Sequence, residues 1–153
     1  NGIYIQALDL DKGHQVWAYE SENNVQHSLR KPSINNKIIY TLGEKNGNDI
    51  LIALDSITGG EIWSKRLKRY SKDNVVNPII TNKYIYVVQE NVNDKTGTYL
   101  IGSNFRTGEF KKSIRLVDIM GDSAPINIVS IQSYRDLMYI YNLDKKIQIT
   151  ALR

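Results

Sequence analysis

The sequence predicts an all-β fold assembled from copies of one four-stranded antiparallel sheet. Three observations lead there. One motif recurs at near-constant spacing, β-rich runs alternate with polar turns inside each period, and no window carries an apolar stripe of helical period. The motif reads "IQALDLDKGHQVW" at 5–17, "LIALDSITGGEIW" at 51–63, "LIGSNFRTGEFKK" at 100–112 and, cut short, "IQITALR" at 147–153. Ala7, Ala53, Gly102 and Ala151 mark the same place in each copy, at separations of 46, 49 and 49 residues. A constant period of that length means one supersecondary unit copied along the chain.

Each unit resolves into strands A to D. The second copy is the clearest. Its strand B, "NKIIYTL" at 36–42, is rich in β-branched and aromatic residues that suit a pleated, half-buried surface. The polar run "GEKNGND" at 43–49 predicts a turn, after which "ILIALD" returns as strand C. The third copy repeats this with "NKYIYVVQE" at 82–90, a turn over 91–97 and "TYLIGSN". In the fourth, "DLMYIYNL" at 136–143 and "KIQITALR" flank Asp144 and Lys145. Short apolar stretches ahead of each hairpin, "KPSI", "NPII" and "APINIVSI", predict strand A. Proline at a strand entry fits, because it donates nothing to a ladder. Strand D follows the motif, as in "EIWSKRL" at 61–67.

The C–D connection carries the repeat's signature. Asp9 and Asp55 stand where a carboxylate accepts backbone N–H bonds across a turn, with Asn104 in the third copy. Thr58 and Thr107 precede Gly59 and Gly108, and Gly13 is their counterpart; each glycine supplies the positive φ that closes the hairpin. Trp17 and Trp63 follow four residues later on strand D. An aromatic ring on an outer strand has little core within its own sheet, so it is expected to pack against the neighbouring repeat. Four-stranded units that bury a face only against one another make a β-propeller.

These residues resemble the A-L-D-x-x-T-G-x-x-x-W repeat of the quinoprotein-like, or PQQ-repeat, β-propellers. Two copies carry the full pattern; the third has Lys112 where the tryptophan belongs, and the fourth stops before the turn. The resemblance implies two kinds of protein. Quinoprotein dehydrogenases of this family hold pyrroloquinoline quinone and calcium at the propeller axis. Non-catalytic members, such as the propeller lipoprotein of the outer-membrane β-barrel assembly machinery, use the propeller as a docking surface.

The strands expected from the four copies number two, four, four and three, a little over three blades, with boundaries near 1–29, 30–75, 76–123 and 124–153 in one partial propeller domain. Propellers have about 4–8 blades. The expectation is therefore the C-terminal part of a longer propeller, completed by further blades of the same chain or, as the minority reading, by another subunit.

Candidate chemistry is sparse. The chain has no cysteine, which excludes a disulfide framework and a thiolate metal site. Asp118 and Asp122 in "VDIMGDSAP" are the nearest approach to a paired-carboxylate loop, and the plainer reading is a D–A connection with Asp at a turn. His14 and His27, the two histidines, fall in a turn and an interblade segment and make a weak case for zinc. No phosphate loop, dinucleotide fingerprint or nucleophile elbow is present. No catalytic, cofactor or metal residue is nominated. No apolar run reaches the roughly 18 residues that span a bilayer.

A basic stripe is the remaining feature of a mildly basic chain of net charge +4. Lys65, Arg66, Lys68, Arg69 and Lys72 fall on and after strand D of the second copy; Lys111, Lys112 and Arg115 hold the corresponding stretch of the third. They fit cations that keep an outer edge strand from pairing, the plainer reading, or an anionic partner such as lipid headgroups or an acidic protein. Nucleic acid is disfavoured, because aromatics are not interleaved as in stacking platforms. The expectation is a non-catalytic docking or scaffolding propeller without cofactor, in the periplasm or cell envelope. The alternatives are a segment of a PQQ-dependent dehydrogenase, or a sensor domain of a larger receptor.

Overall fold

In the computed structural model the described residues are 4–21, 25–27, 31–45, 48–67, 77–90, 97–116, 118, 128–134, 137–142 and 148–150. They form an all-β chain of two compact units, Asn1–Leu67 and Lys68–Arg153.

The first unit holds two sheets. Strands β1 (Tyr4–Leu8) and β2 (Gln15–Glu20) pair antiparallel and are strands C and D of the first copy. The second sheet runs β3 (Val25–His27), β5 (Ile38–Lys45), β6 (Asn48–Asp55), β7 (Glu61–Arg66). A further strand, β4 (Ser33–Asn35), also pairs with β5.

Two details differ from the sequence expectation. Strand A of the second copy is two strands on one edge: β3 pairs with Gly43–Lys45 of β5, and β4 pairs with Ile38–Tyr40. Pro32 lies just ahead of β4, where its missing N–H leaves no ladder bond unmade. The polar run at 43–49 is also mostly ladder, since pairing continues through Lys45 and Asn48. The backbone pairs there whatever the side chains, so a polar composition does not by itself mark a turn. At the other end of the hairpin, Asn36 (φ 47°) and Lys37 (φ 63°) join β4 to β5, two successive positive φ angles of the kind that match strand twist in two-residue turns.

The second unit also holds two sheets. Strands β8 (Ile79–Ile80), β9 (Tyr84–Glu90), β10 (Thr98–Asn104) and β11 (Phe110–Arg115) form a four-stranded antiparallel sheet, the complete A–D order of the third copy. Strands β12 (Ile128–Tyr134), β13 (Leu137–Asn142) and β14 (Gln148–Thr150) form the three-stranded remainder.

In each unit a buried cluster lies between the two sheets. In the first, Trp17 is buried with Ile39, Ile52 and Leu54 of the second sheet, and Ile5, Ala7 and Tyr19 pack against them. In the second, Ile79, Tyr86, Val88 and Leu100 gather with Met138 and Ile140 of β13 and with Leu116. The Ser133 hydroxyl donates to the Ile80 carbonyl across that seam. A sheet that buries a face only against its neighbour is the repeat behaviour the period predicts.

Candidate functional site

The recurrent turn between strands C and D is the best-defined polar arrangement in the protein. It is built the same way three times. Gly13, Gly59 and Gly108 have φ of 69°, 73° and 69°. Their N–H groups donate to the carbonyls of Asp9, Asp55 and Asn104 at 2.8, 2.9 and 2.8 Å. The N–H groups of Asp9, Asp55 and Asn104 donate in return to the carbonyls of His14, Gly60 and Glu109. Each turn begins with a register shift in the C–D ladder, the bulge that lets the strand bend into it.

The side chains at 9, 55 and 104 are committed to these turns. Asp9 Oδ1 accepts from the N–H groups of Asp11 and Lys12, both at 2.9 Å. Asp55 Oδ1 accepts from Ile57 N–H at 2.9 Å, Thr58 N–H at 2.8 Å and the Thr58 hydroxyl at 3.1 Å. Asn104 Oδ1 accepts from Arg106 and Thr107 N–H. The N–H bonds from Thr58 and then Ile57 hold the Asp55 carboxyl below its usual range. Thr58 and Thr107 add a second brace, their hydroxyls accepting from Gly60 and Glu109 N–H.

Trp17 meets the second repeat at this turn. Its indole N–H donates to the Ser56 carbonyl at 3.0 Å, and its ring lies over Gly59. A Cβ added at Gly59 would stand 2.5 Å from Trp17 Cε3. Tyr19 extends the seam by donating to Glu61 Oε2 at 2.8 Å. The predicted packing of an outer-strand indole on the next repeat is thus present at Trp17. Trp63 is buried too, with its ring centroid 6.1 Å from that of Tyr40.

The remaining candidates are not brought together as a reactive group. Among the described residues, no three His, Cys, Asp or Glu side chains gather as a metal-binding group. His14 lies exposed in its turn. Asp118 is exposed, with Oδ1 3.8 Å from Arg115 Nη1. Asp122 and the side chain of His27 lie outside the described residues. Of the basic stripe, Lys65 and Arg66 are exposed on β7, while Lys68, Arg69 and Lys72 lie outside the described residues. Lys111 pairs with Glu109 at 2.8 Å. Lys112 places its ammonium 5.1 Å from the Tyr84 ring centroid and 5.4 Å from that of Tyr86. The sequence places Lys112 at the tryptophan position of the motif and in the basic stripe, but does not show what it packs on. The signal that would have placed it was the two tyrosines of "NKYIYVV", one of them cross-strand from Gly102.

Repeated antiparallel sheets, three of them carrying the same Asp/Asn–Gly turn and the second covered there by the first repeat's tryptophan, define a propeller of the PQQ-repeat class. The sequence profile of the family described as outer membrane protein assembly factor BamB matches residues 2–111, and the chain belongs to that PQQ-repeat family. No curated protein sequence matches it. Among solved structures, a europium-containing methanol dehydrogenase is similar over 73% of this chain and 21% of its own, with a TM-score of 0.57 and 19% identity. The quinohemoprotein alcohol dehydrogenase from Comamonas testosteroni gives 73%, 18%, 0.57 and 19% in the same measures. BamB from Moraxella catarrhalis is similar over all of this chain and 60% of its own, with a TM-score of 0.49 and 16% identity. The chain thus spans about a fifth of the length of the two dehydrogenases. Among the described residues, no helix is long and apolar enough to cross a membrane.

Proposed function

We propose that the chain is part of a non-catalytic propeller that docks and scaffolds other proteins in the bacterial cell envelope. The family match over residues 2–111, to a profile described as an outer-membrane assembly factor, carries this reading. The geometry is in keeping with it, because the polar side chains of the repeat motif are spent on their own turns. Its partners are proteins, among them the remaining blades of the propeller. The cations Lys65, Arg66, Lys68, Arg69, Lys72, Lys111, Lys112 and Arg115 offer an anionic surface of that compartment a place to bind.

The competing reading is a segment of a quinoprotein dehydrogenase, which shares the fold. Equilibrating the protein with pyrroloquinoline quinone and calcium, desalting, and recording the visible spectrum decides between them. The docking reading expects the quinone to pass through unretained. Stoichiometric retention overturns it in favour of the dehydrogenase.

A further inference from the structure

On the docking reading given above, we propose that the turn between β10 and β11 is a protein-docking spot, and that it takes a partner segment carrying a carboxylate beside an apolar side chain. Two turns of one backbone differ here. Gly59 and Gly108 share their positive φ, and Asp55 and Asn104 make the same backbone bonds. The turn itself therefore does not dictate the side chains that change. Phe105, Arg106 and Phe110 stand where the second repeat has Ser56, Ile57 and Glu61.

The charges at this end of the sheet are left open. Tyr84 pairs with Asn104, which puts the exposed Lys83 at the same end as the turn. In the second repeat Lys37 holds the position of Lys83. There the Asp55 carboxylate, held first by the N–H groups of Thr58 and Ile57, also feels the Lys37 charge. The third repeat replaces that carboxylate by the neutral Asn104 and adds Arg106, whose guanidinium lies 5.4 Å from the Phe105 ring centroid. Among the described residues the Lys83 ammonium and the Arg106 guanidinium meet no carboxylate, and the turn's own Glu109 is paired with Lys111.

The apolar part of the turn says what accompanies the carboxylate. Phenylalanine is mostly a residue of protein interiors. The chain has two, and both fall between Asn104 and Lys111. Phe110 is 60% exposed, and Phe105 is half-buried under Arg106. Arginine with exposed aromatic surface beside it is the make-up of the centre of a protein interface. Contact with the ring holds the guanidinium in place, and its N–H groups remain to grip a carboxylate at two points. Two open cations are too few for a membrane surface, which is read by clusters of about four to eight. One acidic side chain with an apolar neighbour for Phe110 satisfies them.

The test uses the full protein in cells producing it from its own gene. A photo-crosslinker at Phe110 is expected to capture a protein segment that carries a carboxylate. Capture is expected to fall at least about tenfold in Arg106→Glu and in Asn104→Asp, which restores the second repeat's carboxylate beside Lys83. Neither change removes the turn, since Arg106 gives it only a backbone N–H and Asp55 fills the place of Asn104 in the second repeat. A synthetic peptide of the captured segment is expected to bind the purified protein and to lose the same factor in both variants, or when its acidic residue is changed to the amide. Capture unchanged in both variants overturns the proposal. So does a captured segment without a carboxylate, a cross-link to lipid alone, or no cross-link. A crosslinker at Lys65, on the outer strand of the second repeat, separates the two levels. A protein captured there and none at Phe110 overturns this site and leaves the docking reading standing, whereas none at either position removes both.

Discussion

The second and third repeats build the same three-residue row across strands B, C and D and fill it differently. In the second, Tyr40, Ala53 and Trp63 stand side by side, with the two rings 6.1 Å apart and tilted by 48°. In the third, the row is Tyr86, Gly102 and Lys112. The ammonium of Lys112 sits over Tyr86 and over Tyr84, whose rings meet edge to face at 6.0 Å. A cation over two electron-rich ring faces is attracted to them, and its methylene stem covers apolar surface. The glycine is the matching change. A Cβ at position 102 would come within 2.8 Å of the Tyr86 ring and 3.2 Å of Lys112 Cγ. The comparison teaches that the backbone prescribes a volume beside the small residue of strand C. An indole fills it in one repeat, and a lysine with a drawn-in tyrosine fills it in the other.

The largest expected effect tests the indole side. Trp63→Ala removes the buried ring that stands beside Tyr40 and Ala53 and is expected to cost about 3–5 kcal/mol in urea unfolding. A cost near that of a surface substitution would break the comparison at its stronger end.

Next comes the pair of like turns, compared within the isolated 153-residue chain. Gly13→Ala and Gly59→Ala both force a side chain into positive φ, at about 1–2 kcal/mol. At Gly59 the new Cβ must also displace Trp17, which adds about 1–3 kcal/mol. Equal losses at the two positions would mean that the ring does not rest on Gly59.

The lysine side is sharpened by a cycle of substitutions. Lys112→Ala is expected to cost about 0.5–2 kcal/mol, less than the tryptophan does. Gly102→Ala is expected to be harmful alone and tolerated together with Lys112→Trp, which restores the second repeat's pairing. Strict additivity in this cycle would show that Gly102 and Lys112 are not one device.

The smallest effect concerns pH. Donors of its own turn lower the Asp55 carboxyl in the folded state. Its contribution to stability is therefore complete above the ordinary value of about 4 and is lost as pH falls through the lowered one. Asp55→Asn is expected to keep the turn, as Asn104 does in the third repeat, while flattening the acid limb of an unfolding-midpoint titration. An unchanged acid limb would remove the carboxylate from the account.

Much of this was legible because the repeat is written in local chemistry. Asp, Thr and Gly at fixed offsets specify a turn almost by themselves, and the period then orders the sheets. The docking of Trp17 followed from a large ring with no core of its own. Three features were not legible. The ladder through Lys45 and Asn48 depends on backbone pairing that polar side chains do not advertise. The division of strand A into β3 and β4 depends on which part of β5 each segment reaches. What Lys112 packs on was hidden because its partners, Tyr84 and Tyr86, lie on a strand 26 or more residues earlier and meet it only across the folded sheet.

Native-state hydrogen exchange at the Gly59 amide, in the natural chain and in Trp17→Ala, tests the shelter of one repeat by the next most directly. The account predicts that removing the first repeat's indole speeds exchange at Gly59, whose N–H bonds Asp55 in the second repeat, and leaves the matching Gly13 amide unchanged. Equal protection of Gly59 in both proteins would contradict it.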